Sequence, residues 1–456
     1  MNGAEQRGGM NRREFLGLSA AAAGALCGFG ARAAAEAGRG KAKRPNIIFI
    51  LADDLGWADV GYHGSEIETP NIDRLAERSV RFGRHYVMPT CTPTRVGLMS
   101  GRYPSRYGVV SPDYGKLFDD DTVTLAAALG RCGYFTSISG KWHMGSPPEC
   151  TPRKYGFDSS YGYFDGQIDP YTHRYKNGRR SWHRNDEFLD EEGHATDLIT
   201  DEAVRVIDEE REGPFFLYVA YSVPHFPLDE PERWTKRYEG RIENESRRWY
   251  AASVTHMDHG IGRIVEAVER QGAAEETLIV FASDNGGQKS WHNSSQYKGR
   301  YADKPHDVLG DNRPLRGWKG EVYEGGIRVP ALASWPGVLE AGQVDTPLHI
   351  VDWMPTLCGL AGYADGAARE WDGRDMWPAI AGAGDVSGSR TLYWKTPGAW
   401  AVRRGDWKLI ARKNSERLEL YDVTHDPYEQ RDMATERPAK VAELRTVLAE
   451  MMEGDR

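Results

Sequence analysis

The sequence predicts an α/β protein: a mostly parallel sheet sandwiched by helices, followed by a small C-terminal antiparallel sheet plus one helix. Three observations carry this reading. Apolar runs of strand length at residues 47–51, 134–139, 215–220 and 278–282 are nearly continuous rather than alternating, as expected of strands covered on both faces. Segments with helical apolar spacing lie between them, and alternating strands and helices argue a parallel sheet with helical layers. Beyond residue 385 the texture changes to short runs separated by turn residues such as Arg404-Gly405-Asp406.

The chain opens with a leader rather than with the fold. Arg12-Arg13 precedes a weakly apolar stretch at 18–26, and small residues follow at Ala31-Arg32-Ala33. This is the layout of a twin-arginine export leader. Residues 1–40 are therefore assigned to signal peptide and linker, with the twin-arginine machinery as a partner and a periplasmic or secreted destination. The apolar stretch is too short and too rich in Ala and Gly to span a membrane. The remaining length suffices for a main domain at 41–384 and a C-terminal subdomain at 385–456. A net charge of -9 argues against nucleic acid as a partner. Of five cysteines, Cys27 lies in the leader and Cys91, Cys132, Cys150 and Cys358 remain, which is not a disulfide scaffold.

Taken in order, the strand at 47–51 runs into Asp53-Asp54. Thr69 and Pro70 supply an N-cap and a first helical residue for a helix at 71–79. Cys91-Thr92-Pro93-Thr94-Arg95 follows the turn-rich Val87-Met88-Pro89-Thr90 and opens another helix, where unpaired N–H groups favour an anion. Thr124 starts a helix at 125–131. The strand at 134–139 leads to Lys141 and His143, that at 215–220 to His225, and that at 278–282 to Asp284-Asn285. A helix at 247–270 carries Tyr250, Val254, Met257, Ile261, Ile264, Val265 and Val268 on one face and stops at Gly272. Runs at 391–394, 400–403, 407–412 and 418–421 form the small sheet, and a polar helix at 438–452 closes the chain.

Ligands of open parallel sheets bind outside the carboxyl ends of the strands. Four distant segments thus deliver reactive groups to one edge. Asp53, Asp54, Asp284 and Asn285 offer oxygen alone, which suits calcium or magnesium and not zinc. Adjacent acids at a strand end repel unless a cation neutralises them, although helix caps and exposed turns use the same residues. Cys91 reads equally as a buried free thiol. In segment 165–188, His173, Arg174, Arg179, Arg180 and Trp182 combine aromatic faces for stacking on sugars with basic groups for anionic sugars; a solvated loop has the same composition.

The Cys-x-Pro-x-Arg pentad, followed by Ser100-Gly101-Arg102, resembles the modification signal of the formylglycine-dependent sulfatases of the alkaline phosphatase superfamily. The likeness extends from Pro45-Asn46-Ile47 to Leu420-Tyr421-Asp422. It includes Gly140-Lys141-Trp142-His143-Met144-Gly145, Val223-Pro224-His225-Phe226-Pro227 and Arg316-Gly317-Trp318-Lys319-Gly320. The family favours Thr where this chain has Ser100. The resemblance implies an alkaline phosphatase-like fold and oxidation of Cys91 to formylglycine by a formylglycine-generating enzyme. It also implies one calcium or magnesium ion on Asp53, Asp54, Cys91, Asp284 and Asn285. Arg95 would hold the nucleophile, Lys141 and Lys319 the sulfate, His225 would protonate the leaving alcohol and His143 would take a proton from the second hydroxyl. The runs Tyr161-Gly162-Tyr163-Phe164-Asp165-Gly166 and His349-Ile350-Val351-Asp352-Trp353 are most similar to the arylsulfatase B branch. That branch implies a sulfated glycan carrying 4-O-sulfate on galactose or N-acetylgalactosamine. A phosphate or phosphonate monoester hydrolase on the same fold, and a silent sulfoglycan-binding protein with unmodified Cys91, are the alternatives.

Overall fold

A ten-stranded sheet organises the chain. Its centre is five parallel strands in the order Thr277–Ser283, Asn46–Ala52, Phe215–Ala220, Phe135–Lys141 and Ser159–Tyr163. The structure is a computed structural model that describes residues 44–113, 115–291, 306–364, 370–384 and 390–456. The leader at 1–40 lies outside the described residues, as does 385–389, where the second domain, expected over 385–456, begins.

The continuous apolar runs become these central strands because both faces are covered. Alternate residues of Asn46–Ala52 feed two separate cores. Ile48 and Ile50 face the layer of helices Pro70–Glu77, Ala195–Asp208 and Glu245–Arg270. Ile47, Phe49 and Leu51 face helices Cys91–Ser100, Leu125–Arg131 and Trp353–Ala361. The sequence did not reveal the sheet's edges. Ala331–Ser334 and Val80–Phe82 extend one side antiparallel, and Trp182–Arg184 with Glu187–Phe188 extend the other. Thr124 caps its helix as expected, accepting from the Ala127 amide at 3.2 Å. Thr69 occupies the N-cap position but its hydroxyl turns away, accepting from the Gly61 amide at 2.7 Å and donating to Asp73 at 3.0 Å.

The small sheet is an antiparallel meander of Thr391–Lys395, Ala399–Arg404, Trp407–Arg412 and Leu418–Asp422, with helix Pro438–Met452 against it. It shares one core with the helix that begins at Cys91. The Trp394 indole donates to the Val87 carbonyl at 2.9 Å. Beneath that contact the fully buried Lys408 ammonium sits 3.0 Å from Glu324 and 2.9 Å from Glu429. Burial pushes Glu429 up to about 7, with Lys408 opposing and Glu324 adding to the rise. One cation thus holds two buried carboxylates, one on each side of the contact between the two sheets.

Removing one partner of a buried ion pair leaves an uncompensated charge. Lys408→Ala is expected to lower stability by about 3–5 kcal/mol, read as a shifted urea midpoint. A change smaller than that of a surface substitution would show that Lys408 does not hold the two sheets together.

Candidate active site

Cys91 is the first residue of a helix whose ten residues are all buried. The hydroxyls of the pentad fix the turn before it. Thr94 accepts from the Met88 amide at 3.0 Å and donates to the Met88 carbonyl at 3.2 Å, while Thr92 donates to the His143 carbonyl at 3.1 Å. Pro93 stands in the first turn, where its missing N–H leaves no bond unmade. The Cys91 sulfur lies 3.3 Å from His143 Nδ1. Burial pushes the thiol above its ordinary range, with Lys141 and Lys319 opposing. As a thiol, Cys91 is therefore less ionised than an exposed cysteine.

Arg95, one turn further on, is fully buried. Its guanidinium donates to Asp284 at 2.8 Å and to the Lys141 carbonyl and Tyr218 hydroxyl at 3.1 Å each, and lies 4.0 Å from Asp53. The carboxyl ends of the central strands meet around it. Asp53 takes the Lys141 ammonium at 2.5 Å, and its second oxygen has no hydrogen-bond partner. Asp54 is held in the left-handed region at φ 68. It accepts from Lys319 at 2.8 Å and from the Asn285 amide at 2.7 Å, while its own backbone N–H donates to Asp284 at 3.2 Å. The side-chain amide oxygen of Asn285, Oδ1, is buried without a partner. Burial pushes Asp284 up to about 6, reinforced by Asp53 and opposed by Arg95. Burial would raise Asp54 too, but Lys319 and His225 outweigh it and hold the carboxyl at about 2.

This set fits a cation. Asp53, Cys91 and Asp284 bring ligating atoms within 4.8 Å of one another, and so do Asp53, Asp54 and His225. Two orphaned buried oxygens, on the Asp53 carboxylate and the Asn285 side chain, add to this fit, since an unpaired buried oxygen is costly unless a partner such as a cation meets it.

Burial and the neighbouring lysines favour the neutral form of both imidazoles of the site. Burial drives His143 well below its ordinary value, with Lys141 adding to the fall. Burial and Lys319 take His225 to about 3. His225 Nδ1 bonds the Phe226 carbonyl at 2.5 Å and Nε2 lies 3.7 Å from Asp54. Nε2 thus carries the lone pair. All six candidate catalytic residues and the four oxygen donors come together at one strand edge.

The site forms the floor of a cleft of 550 Å³ with Cys91, His143, His225 and Lys319 exposed to it. Its walls carry Gln167, Lys176, Lys289, Trp291, Trp318 and Glu321. A larger hollow of 1020 Å³ lies at the opposite, amino ends of the strands around Asn46 and Pro214, away from this chemistry.

The five candidate glycan-binding residues are placed differently. Trp182 is a core residue, donating to Glu191 at 3.1 Å, and His173 is buried against it with ring centroids 4.5 Å apart. Arg174 and Arg180 pair with Asp190, and Arg179 with Asp165. None of the five lines the cleft; from their segment Lys176 does. Trp291 and Trp318 were not singled out, although each lies close in sequence to a site residue. Tyr218 was missed because a tyrosine inside an apolar strand carries no sign of an arginine partner.

A family model described as Sulfatase matches residues 45–363. Mouse arylsulfatase J is 32% identical over 90% of this chain and 76% of its own length. Human N-acetylgalactosamine-6-sulfatase is 32% identical over 75% of this chain and 66% of its own length. Among solved structures, Ps i-CgsB in complex with k-i-k-neocarrahexaose superposes with a TM-score of 0.81 at 31% identity, covering 91% of this chain and 94% of that one.

A thiol with a raised pKa is less ionised at every pH below it, and only the thiolate alkylates. In protein whose Cys91 is still a thiol, iodoacetamide should modify the half-exposed Cys132 first. Cys91 should react only at a pH above the range in which an ordinary thiol ionises. Rapid labelling of Cys91 at neutral pH, followed by peptide mass spectrometry, would contradict this electrostatic reading.

Proposed function

The chain belongs to the sulfatase family, and from that premise we propose that it is a glycan sulfatase whose nucleophile is formylglycine made from Cys91. It is a sulfuric ester hydrolase. The observation that carries the finer reading is the meeting of a buried Cys91 with Arg95, Lys141, His143, Lys319 and the oxygen cluster at one strand edge. A hydrated aldehyde at position 91 supplies what the thiol does not: one hydroxyl to attack sulfur and a second whose deprotonation expels sulfate. One calcium or magnesium ion on Asp53, Asp54, Asp284, Asn285 and residue 91 would supply Lewis-acid polarisation of a sulfate oxygen.

The side chains act around that centre. Arg95 is fixed by contacts to three strands and orients residue 91. Lys141 and Lys319 offset charge on the sulfate oxygens in a water-poor site, where such contacts count most. His143, neutral and 3.3 Å from residue 91, is placed to accept a proton from it. His225 faces the cleft with a free lone pair and takes up a proton when an anionic ester arrives, since a negative charge nearby favours imidazolium. It then donates that proton to the leaving alcohol.

We further propose sulfated polysaccharide as substrate, with 4-O-sulfate on galactose or N-acetylgalactosamine as the bond cleaved. The cleft is roomy enough for more than one sugar, and Trp291, Trp318, Lys176 and Lys289 on its walls offer stacking faces and cations. A related structure binds k-i-k-neocarrahexaose. The leader supports export by the twin-arginine route and action outside the cytoplasm, checked by cell fractionation.

Active protein should show a loss of about 18 Da on the Cys91 peptide, the thiol-to-aldehyde oxidation, and Cys91→Ala should abolish turnover while the protein still unfolds cooperatively. Full activity with an unaltered Cys91 thiol would refute the mechanism. Thorough chelation should remove activity and lower the thermal midpoint, since a bound ion stabilises the native state; calcium or magnesium should restore both, and indifference to chelation would eliminate the metal. Sulfate release from defined saccharides should favour 4-sulfated galactose or N-acetylgalactosamine units over small aryl sulfates, which forgo remote binding energy. Exclusive cleavage at the 6-position would overturn the positional assignment, and turnover of phosphate esters alone would favour the phosphohydrolase reading.

A further inference from the structure

A second group of ligating side chains lies away from the cleft floor. His194 caps helix Ala195–Asp208, Glu230 follows the loop that carries His225, and His256 sits midway along helix Glu245–Arg270. All three are buried, and each contributes one donor atom to a group lying within 4.8 Å. His194 Nε2 and Glu230 Oε1 are 3.7 Å apart, and neither makes a hydrogen bond of ordinary geometry, although the Asp229 backbone lies near the His194 ring. That separation is too long for a hydrogen bond. It is near the spacing of two ligands on a tetrahedral ion with bonds of about 2.0–2.2 Å. His256 completes the arrangement. Its Nδ1 faces Glu230 Oε2 at 2.7 Å, while its Nε2 lies 3.0 Å from Asp197. A carboxylate behind the remote nitrogen of a histidine is the outer-shell contact that orients metal-bound imidazoles.

We propose that His194, Glu230 and His256 form a second cation site, separate from the oxygen cluster and suited to zinc. Two imidazoles and one carboxylate match a borderline ion, whereas calcium and magnesium prefer oxygen alone. Two carboxylates, Glu230 binding directly and Asp197 behind His256, balance the charge of a dication. The proton balance is explicit. Zn²⁺ takes the lone pair of His256 Nδ1, so the proton shared between that nitrogen and Glu230 leaves to solvent. At His194 the ion takes Nε2, the ring proton moves to Nδ1, and the long 3.2 Å contact from the Thr196 amide is given up. The charged neighbours on the packed elements are Asp197, Asp229, Arg233, Arg263 and the exposed His259; Arg233 pairs with Asp197 at 3.4 Å. Because Glu230 lies five residues after His225, an ion here ties the His225 loop to two helices.

The full-length chain is stripped with chelator, re-equilibrated in excess calcium so that the oxygen cluster is not competed for, and titrated with Zn²⁺. One zinc per chain should stay bound through gel filtration, with about one proton released, since metal binding displaces protons from its ligands. Co²⁺ should give the intense visible bands of a four-coordinate nitrogen–oxygen site. His256→Gln and Glu230→Gln should lose the zinc equivalent and keep their calcium content. No retained zinc in the wild type, or equal zinc in wild type and either variant, overturns the site. If both variants fail to fold, the wild-type Co²⁺ spectrum decides, and the weak bands of an all-oxygen octahedral ion refute the proposal.

Discussion

The buried guanidinium of Arg95 is the constraint on which the rest of the site depends. Removing an arginine from water is costly, and hydrogen bonds to its donors offset that cost. Here its two terminal nitrogens are met by Asp284 at the end of one strand, the Lys141 carbonyl at the end of another and Tyr218 within a third, while Nε has no hydrogen-bond partner. One side chain therefore fixes the helix of Cys91 relative to three strands of the sheet. The same low dielectric that demands this pairing makes each charge at the strand edge act strongly on its neighbours. Asp284 is pushed toward neutrality and Asp54 is held ionised, within a few ångströms of each other.

The lysines have a double task in this frame. Lys141 and Lys319 lie directly on Asp53 and Asp54, so each carboxylate already has a cation. A metal on the oxygen cluster would take over that compensation and turn both ammonium groups toward an incoming anion. The protein carries net negative charge, -9 overall, yet the cleft walls add Lys176 and Lys289. Local placement, and not the overall charge, decides what this surface attracts.

Much of this was legible in the sequence, for an identifiable reason. A parallel strand announces itself by a continuous apolar run, and its carboxyl end by the first polar residues after it, so Asp53, Lys141, His225 and Asp284 could be placed from local pattern alone. The four short runs of the C-terminal sheet were readable in the same way. What escaped depends on partners distant in sequence. Helix Ala195–Asp208 was not foreseen, because its polar residues obscure the apolar stripe of Ile199, Ala203, Val206 and Ile207. The aromatic and basic run around Trp182 has the composition of a binding loop, but Glu191, Asp190 and Asp165 absorb its donors and turn it into an edge of the sheet. The cleft walls formed by Trp291 and Trp318 have no periodic signal, and only the fold brings them face to face with the site.

The complete burial of the helix from Cys91 to Ser100 has a consequence in time rather than in space. The indole of Trp394 closes over the residues just before Cys91, and the last residue, Arg456, bonds back to the Ser105 carbonyl and to Asp119. Val87 and Trp394 are far apart in sequence, so this cover closes only when the C-terminal sheet docks on the main sheet. A second protein that must grip the pentad as extended peptide would have to do so before that docking, and the order in which the two sheets come together then sets the opportunity.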